Sequence, residues 1–317
     1  MSVDCLSTGV FVADHLCAPI THIPDPGELV LTERLVLNIG GCAANLAIDL
    51  ARQGASVGVA GCVGQDIFGR FVAETLNEAG VDTQGLRQLE NVGTAGTLIV
   101  NVRGQDRRFI HTLGANAVMQ PSDIPLDLVR QSRVLYVGGY LLLAAMDPQG
   151  LADVFAAARA AGVLTVLDVV VPGPGDHWSA LEPLLPVTDL FLPNDDEARA
   201  ITGLTDPVAQ AERFQQAGAC TTVITTGANG TWLVNDKQRL RAGAYEVEFV
   251  DGTGAGDAFD AGYIAGLLAG WDERRCLEYG SALGASCVRA VGTTPGVFTR
   301  DEAEAFIREH PLPIDTL

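Results

Sequence analysis

Asp257 stands in the setting that points most directly to chemistry. It lies in DGTGAGDAFDAG, residues 251–262. Gly254, Ala255 and Gly256 leave the backbone nearly bare where a helix rich in small residues begins. Free N–H groups at a helix start, with the positive end of its dipole, suit an anion. A phosphoryl group in transfer is one such anion. The Asp257 carboxylate in the same turn can take a proton from an attacking hydroxyl. An acid in a first turn can also do no more than complement the helix dipole.

A second group of residues precedes another helix. Gly40 and Gly41 permit close backbone approach to a ligand, and Asn45, one turn into the helix, offers donors and an acceptor to sugar hydroxyls. A glycine pair also reads as a plain turn and cap. No Gly-Lys-Ser/Thr ending follows, so the segment is not a Walker P-loop.

The elements that must position these residues alternate in type. Residues 3–9, 56–62, 163–169, 188–192 and 220–226 read as strands, and a strand-like run at 244–250 leads into the Asp257 helix. Helices are expected at 42–53, 66–79, 149–161, from about 195, and at 206–217; glycines 54, 80, 162 and 218 end four of them. Residues 255–290 read as helical. Alternating strands and helices imply a largely parallel sheet with helices on both faces. Residues 15–38 and 92–112 break the rhythm with short β-like runs, the second a hairpin turning near Gly104. One domain over 1–317, with a small β appendage from these segments, is the expected organisation.

Together the two motifs resemble the PfkB family of carbohydrate kinases. The first signature, GGxxxN with a downstream VGxDxFG, is matched by Gly40, Gly41, Asn45, Gly64, Asp66, Phe68 and Gly69. The second, DTTGAGDxFxAG, is matched at 251–262, with Gly252 in place of a usual Thr. The resemblance covers nearly the whole chain. It implies the ribokinase-like three-layer α/β/α sandwich, with the β appendage as a lid over the sugar and a homodimer through that lid.

Further roles follow from the resemblance. Asp257 is the general base, and the Gly254–Asp257 amides form the anion hole. Asp14, Gly40, Gly41 and Asn45 bind the substrate. Asn194 and Glu197, in PNDDEA, lie near magnesium and the phosphates, although on their own they read equally as a helix cap with its following acid. Thr226, Gly227 and Gly230, in TTGANG, contact the nucleotide, as do Gly254 and Gly256. Gly114, Ala115 and Asn116 close the lid segment. Asp251 and Thr253, with carbonyls near 290–294, fall where some ribokinase-like enzymes hold a monovalent cation such as potassium.

The implied activity is an ATP- and magnesium-dependent transfer of phosphate to a hydroxyl of a small sugar. A nucleoside kinase is the alternative, with Phe11, Phe109 and Tyr140 as candidate pocket aromatics, although aromatics make up only 6% of the chain. A non-catalytic sugar sensor fits less well, because Asp257 and TGAGD are intact. Three valines follow Asp168, where several family members carry Asn or Arg. Arg103, Arg107, Arg108 and His111 read as exposed hairpin residues, which favours an unphosphorylated substrate.

Composition narrows the classes. Acidic residues outnumber basic ones 39 to 20, and no basic patch of the kind that binds nucleic acid stands out. The seven cysteines are scattered without a CxxC or Cys/His metal spacing, which fits free thiols. The first residues lack a basic start and a long apolar run, and no run of about 18 apolar residues occurs. A cytoplasmic protein without membrane partners is expected.

Overall fold

Runs of Val, Leu and Ile bounded by glycine build the centre of the molecule, because branched side chains pack well on a pleated sheet covered on both faces. In the computed structural model, which describes residues 3–105 and 108–317, these runs are β1 (Val3–Gly9), β4 (Val57–Gly64), β5 (Asp82–Leu89), β8 (Ser132–Gly138), β9 (Leu164–Leu167), β10 (Leu190–Phe191) and β11 (Thr221–Thr225). They pair in parallel in the order β11-β10-β9-β8-β1-β4-β5. Strands β12 (Thr231–Asn235), β13 (Arg239–Ala242) and β14 (Ile314–Thr316) extend the β11 edge antiparallel and complete a ten-stranded sheet.

Two helical layers cover it. One face receives α1 (Cys42–Arg52), α2 (Ile67–Glu78), α8 (Ala255–Leu268) and α9 (Glu273–Cys287), with Leu46, Leu50, Leu76 and Phe259 in their shared core. The other receives α3 (Leu126–Arg130), α4 (Pro148–Ala160), α5 (Trp178–Leu181), α6 (Asp195–Thr202) and α7 (Pro207–Gln216), packed through Val129, Phe155, Leu181 and Phe214. Helix α10 (Arg300–Glu309) rests on α8 and α9 through Ala303 and Ile307. Among the described residues, no helix is long and apolar enough to cross a membrane.

A separate four-stranded sheet, ordered β3-β2-β6-β7, joins β2 (Val12–Cys17) and β3 (Leu35–Gly40) to the hairpin β6 (Gly96–Val100) and β7 (Arg108–Thr112). Gly104 takes φ 72° in the hairpin turn.

The expected strand at 244–250 does not form. β13 ends in its ladder with β14 at Ala242, and the Val250 and Asp251 amides bond to the Val288 carbonyl beyond α9. A helix end holds this stretch, not a neighbouring strand. The 188–192 strand is also shorter than expected, pairing only at Leu190 and Phe191.

Strand β1 lies between β4 and β8, so the chain winds away from it in both directions. In open α/β sheets the ligand crevice lies outside the carboxyl ends of strands at such a reversal. Asp168, Asn194 and Thr226 follow the ends of β9, β10 and β11.

Candidate active site

The start of α8 is shaped by glycine. Gly254, its N-cap, takes φ 82°, and a Cβ there would lie 2.6 Å from the Thr293 carbonyl oxygen. Only glycine fits both the left-handed backbone and the close approach. No side chain caps the helix, so its first-turn amides remain available to an anion. A Cβ on Gly256 would meet nothing within 4 Å. Asp257 follows, and its Oδ2 accepts a hydrogen bond from Asn45 Nδ2 at 2.8 Å. Burial raises its pKa, and the bond from Asn45 partly offsets that rise.

Two acids that the sequence reading left out of the site, Asp168 and Asp260, crowd this base together with Glu197. A carboxylate oxygen of Asp168, one of Asp257 and the Cys42 thiol all lie within 4.8 Å of one another. Asp168 Oδ2 accepts from the Gly139 amide at 3.0 Å. Asp260, one turn beyond Asp257, accepts from the Tyr136 hydroxyl at 3.3 Å. Glu197 lines the same cavity of about 180 Å³. Among the described residues, no Lys or Arg side chain is hydrogen-bonded or ion-paired to Asp168, Glu197, Asp257 or Asp260. Burial, then mutual repulsion, therefore drives the pKa of Asp168 up towards neutrality and that of Glu197 higher still, and it raises Asp260 well above the carboxylate range. The sequence signals were slight: Asp260 sits three residues after Asp257 in DAFD, and Asp168 closes a strand.

Asn194 and Glu197 form a reciprocal cap on α6. The Glu197 amide donates to Asn194 Oδ1 and the Asn194 amide to Glu197 Oε2, each at 2.9 Å. The cap reading of the pair holds, and the capped Glu197 still reaches the cavity. An isolated bridge between Asn194 and Thr225 brings the TTGANG loop alongside. There Gly227 (φ 55°) and Gly230 (φ 96°) turn the chain, and the Thr226 hydroxyl donates to the Gly230 carbonyl at 2.8 Å.

A second cavity, about 640 Å³, lies between the small sheet and the loops at 249–253 and 291–295. Asp14 enters it from β2, buried and with a raised pKa caused first by desolvation. A Cβ on Gly40 would strike Asp14 Oδ2, and Gly41 takes φ 92°. Gly40 therefore brings bare backbone against the Asp14 carboxylate, and Gly41 against the Val10 carbonyl. The turn into α8 divides the cavities: Asp251 and Thr253 line this one, while Gly254, Gly256 and Asp257 line the other.

Other residues of the motifs serve as braces. Asp66 accepts from the Gly69 amide at 2.8 Å and from Thr94 through its amide at 2.8 Å and its hydroxyl at 2.7 Å. Thr94 in turn accepts from the Gly64 amide at 2.9 Å, and Phe68 packs edge-on against His15 of β2. These contacts clamp the strand leading to β6 onto the main sheet. Asn116, after Gly114 and Ala115, exchanges two hydrogen bonds with the Phe11 backbone. Asp251 accepts from Thr253 at Oδ1 and from the Gly292 amide at Oδ2.

Two of the candidate pocket aromatics belong to the core. Phe11 is fully buried, and Tyr140 is buried with its hydroxyl on the Ala180 carbonyl. Phe109 is exposed on β7. Arg108 bonds to Gln105, and His111 shares a hydrogen bond with Thr97. Arg107 lies outside the described residues. Arg103 is exposed in the hairpin turn as expected, and it also lines the 640 Å³ cavity.

An uncapped, glycine-bared helix start with a desolvated carboxylate beside a sugar-sized cleft is the equipment of a phosphotransferase acting on a hydroxyl. The chain belongs to the pfkB family of carbohydrate kinases, whose pattern matches residues 7–300. It is similar to the ribokinase of Haemophilus influenzae, 29% identical over 95% of this chain and 97% of that one. Its fold is that of the Arabidopsis thaliana ribokinase solved with ribose and ATP, at TM-score 0.84 and 23% identity over 97% of this chain and 99% of that one. An Escherichia coli putative ribokinase II solved with ATP and magnesium gives TM-score 0.84 and 23% identity, covering 97% and 100%. The protein is thus an ATP-dependent carbohydrate kinase with the ribokinase-like fold.

Proposed function

We propose that the protein moves the terminal phosphoryl group of ATP to a hydroxyl of a small sugar, in the manner of a ribokinase or fructokinase. The observation that carries this reading is the Asn45–Asp257 contact at the uncapped start of α8. Asp14 and the backbone at Gly40 and Gly41 hold the acceptor, and Asn45 orients both it and the base. Asp257 Oδ takes the proton of the attacking hydroxyl, and its raised pKa brings its basicity closer to neutral pH. The amides from Gly254 to Asp257 receive the charge on the migrating group. Thr226, Gly227 and Gly230 flank the nucleotide. Closure of the small sheet over the acceptor keeps water from competing.

The carboxylates fit magnesium. Hard oxygen donors without a cationic partner, raised in pKa by burial and then by mutual repulsion, are a set that Mg²⁺ relieves. Glu197 and Asp168 would hold the ion, partly through water, beside Asn194; the ion supplies charge to offset the phosphates. Asp251 and Thr253 would serve a monovalent cation with carbonyls at 290–294. Comparing rates in potassium with rates in a bulky organic cation tests this, and equal rates remove it. A homodimer would form through the outer face of the small sheet, where Leu35, Leu98 and Ile110 are exposed; sedimentation equilibrium decides it.

A nucleoside acceptor is favoured within the structure by Phe249, which is 71% exposed and lines the larger cavity. The deciding experiment is Mg-ATP turnover, followed by ADP release, against ribose, fructose, adenosine and inosine. Sugar-dependent turnover supports the first reading, nucleoside-dependent turnover the second, and ADP release indifferent to every acceptor defeats both.

A further inference from the structure

The larger cavity is graded along its length. Strand register places Asp14 opposite Asn38 on β3 and Thr97 on β6, and Leu16 opposite Val36 and Ile99. The pairing continues past β2, with the Ala18 amide bonded to the Arg34 carbonyl at 2.9 Å. Alternate residues of a strand share a face. The cavity wall therefore has three tiers: polar at Asp14 and Asn38, apolar at Leu16, Val36 and Ile99, and basic at Arg34 and Arg103. Four residues of strand separate the first tier from the last, about 13 Å of backbone, which long arginine side chains shorten from their end.

Charge is sorted along the same axis. The cavity's carboxylates, Asp14 and Asp251, stand at the polar end; Gly292, which donates to Asp251, lies beside the Asn38 amide. No carboxylate lines the basic end. The Arg34 guanidinium has no hydrogen bond or ion pair among the described residues. Arg103 meets Glu33 at 3.8 Å, both largely exposed, and its Nε reaches the Pro19 carbonyl at 3.4 Å. An exposed pair of this kind contributes little, so both guanidiniums are available. In a chain of net charge −19, two exposed arginines at the outer end of an acceptor cavity call for an anion. The planar guanidinium fork suits phosphate or carboxylate.

Resting on the kinase reading above, we propose that the acceptor carries an anionic group, a phosphate ester or a carboxylate, remote from its attacking hydroxyl, and that Arg34 and Arg103 bind it. The sequence favoured an unphosphorylated acceptor because Arg103, Arg107, Arg108 and His111 read as exposed hairpin residues. The strand pairing supplies Arg103 with a partner, Arg34, from about seventy positions away.

The test compares matched acceptors in wild type and in Arg34→Ala, Arg103→Ala and the double variant. Fructose 6-phosphate against fructose forms the phosphate arm, and 2-keto-3-deoxygluconate against fructose the carboxylate arm. Turnover is followed by ADP release and binding by calorimetry. We expect wild type to favour one anionic member about 100-fold or more in kcat/KM, with the arm showing it naming the group. That ratio should fall at least tenfold in each single variant, through KM, and approach one in the double variant. A wild type that treats neutral and anionic acceptors alike overturns the proposal, as does a preference that survives the double variant. If no acceptor is turned over, the kinase reading fails by itself, and calorimetry still decides the subsite: arginine-dependent binding of an anionic acceptor sustains it, and its absence overturns it.

Discussion

Asn45 and Asp257 stand 212 positions apart in the chain and share a 2.8 Å hydrogen bond, Nδ2 to Oδ2. The bond joins the first turn of α1 to the first turn of α8. It also stabilises the ionised form of Asp257 against burial. A base acts only when deprotonated, so activity appears as pH rises through its pKa. Without the Asn45 donor that pKa moves up. We expect Asn45→Ala to shift the acidic limb of the kcat/KM profile to higher pH and to lower its plateau about tenfold or more, the scale of a hydrogen bond to a charged group. A profile lowered without displacement separates Asn45 from the base.

Asp257→Asn keeps the shape and the Asn45 neighbour but removes the proton acceptor. Turnover should fall on the order of 10²–10⁴-fold, the usual contribution of a general base, while the KM for ATP moves little. The melting temperature should hold or rise, because a desolvated carboxyl has been replaced by a neutral amide. Unchanged turnover would falsify the assignment.

The elements closest to the chemistry were the most legible. Gly41 and Gly254 take left-handed backbone, and a Cβ at 40, 41 or 254 would strike a close neighbour; such demands on residue type, like the acid at 257 beside them, show in short motifs. The parallel strands ending at the site were readable from short apolar runs alternating with helical segments. The strand read at 244–250 failed because extended character does not say whether a neighbouring edge is free, and β14 had taken the edge of β13. Asp168, Asp260 and Cys42 escaped for a different reason. Their meaning lies in mutual distance across α1, α8 and the end of β9, and no spacing along the chain encodes that distance. Arg34 was hidden likewise, since only the pairing of β2 with β3 places it in the acceptor cavity.

Asp66 separates the structural half of the first motif from its chemical half. Its carboxylate holds the Gly69 amide and both donors of Thr94, and it touches neither cavity. Asp66→Ala removes a helix cap and unfastens the strand leading to β6. The loss should be roughly 1–3 kcal/mol, read by urea unfolding, with KM for the acceptor raised more than kcat is lowered. Full stability in this variant contradicts the bracing role.

The crowded acids set the pH dependence of stability. Burial and repulsion let Asp168, Glu197 and Asp260 keep protons in the fold at a pH where unfolded carboxyls, with pKa about 4, have released them. The folded state then binds more protons than the unfolded one, so stability falls as pH rises. The decline begins above about 4 and runs through the Asp168 value of about 7. Asp66 acts in the opposite sense, since hydrogen bonds from Thr94 and Gly69 outweigh its burial and hold its carboxyl low; its effect is confined to acid pH, outside this window. The metal-free protein should therefore melt at a lower temperature at pH 8 than at pH 5.5. Magnesium should raise the melting temperature more at pH 8, where Asp168 is already ionised and fewer protons must be displaced. Asp168→Asn should flatten the slope and weaken the magnesium effect together. A melting temperature that climbs with pH, or a magnesium effect equal at both values, shows that these carboxylates are neither proton-laden in the fold nor the seat of the metal.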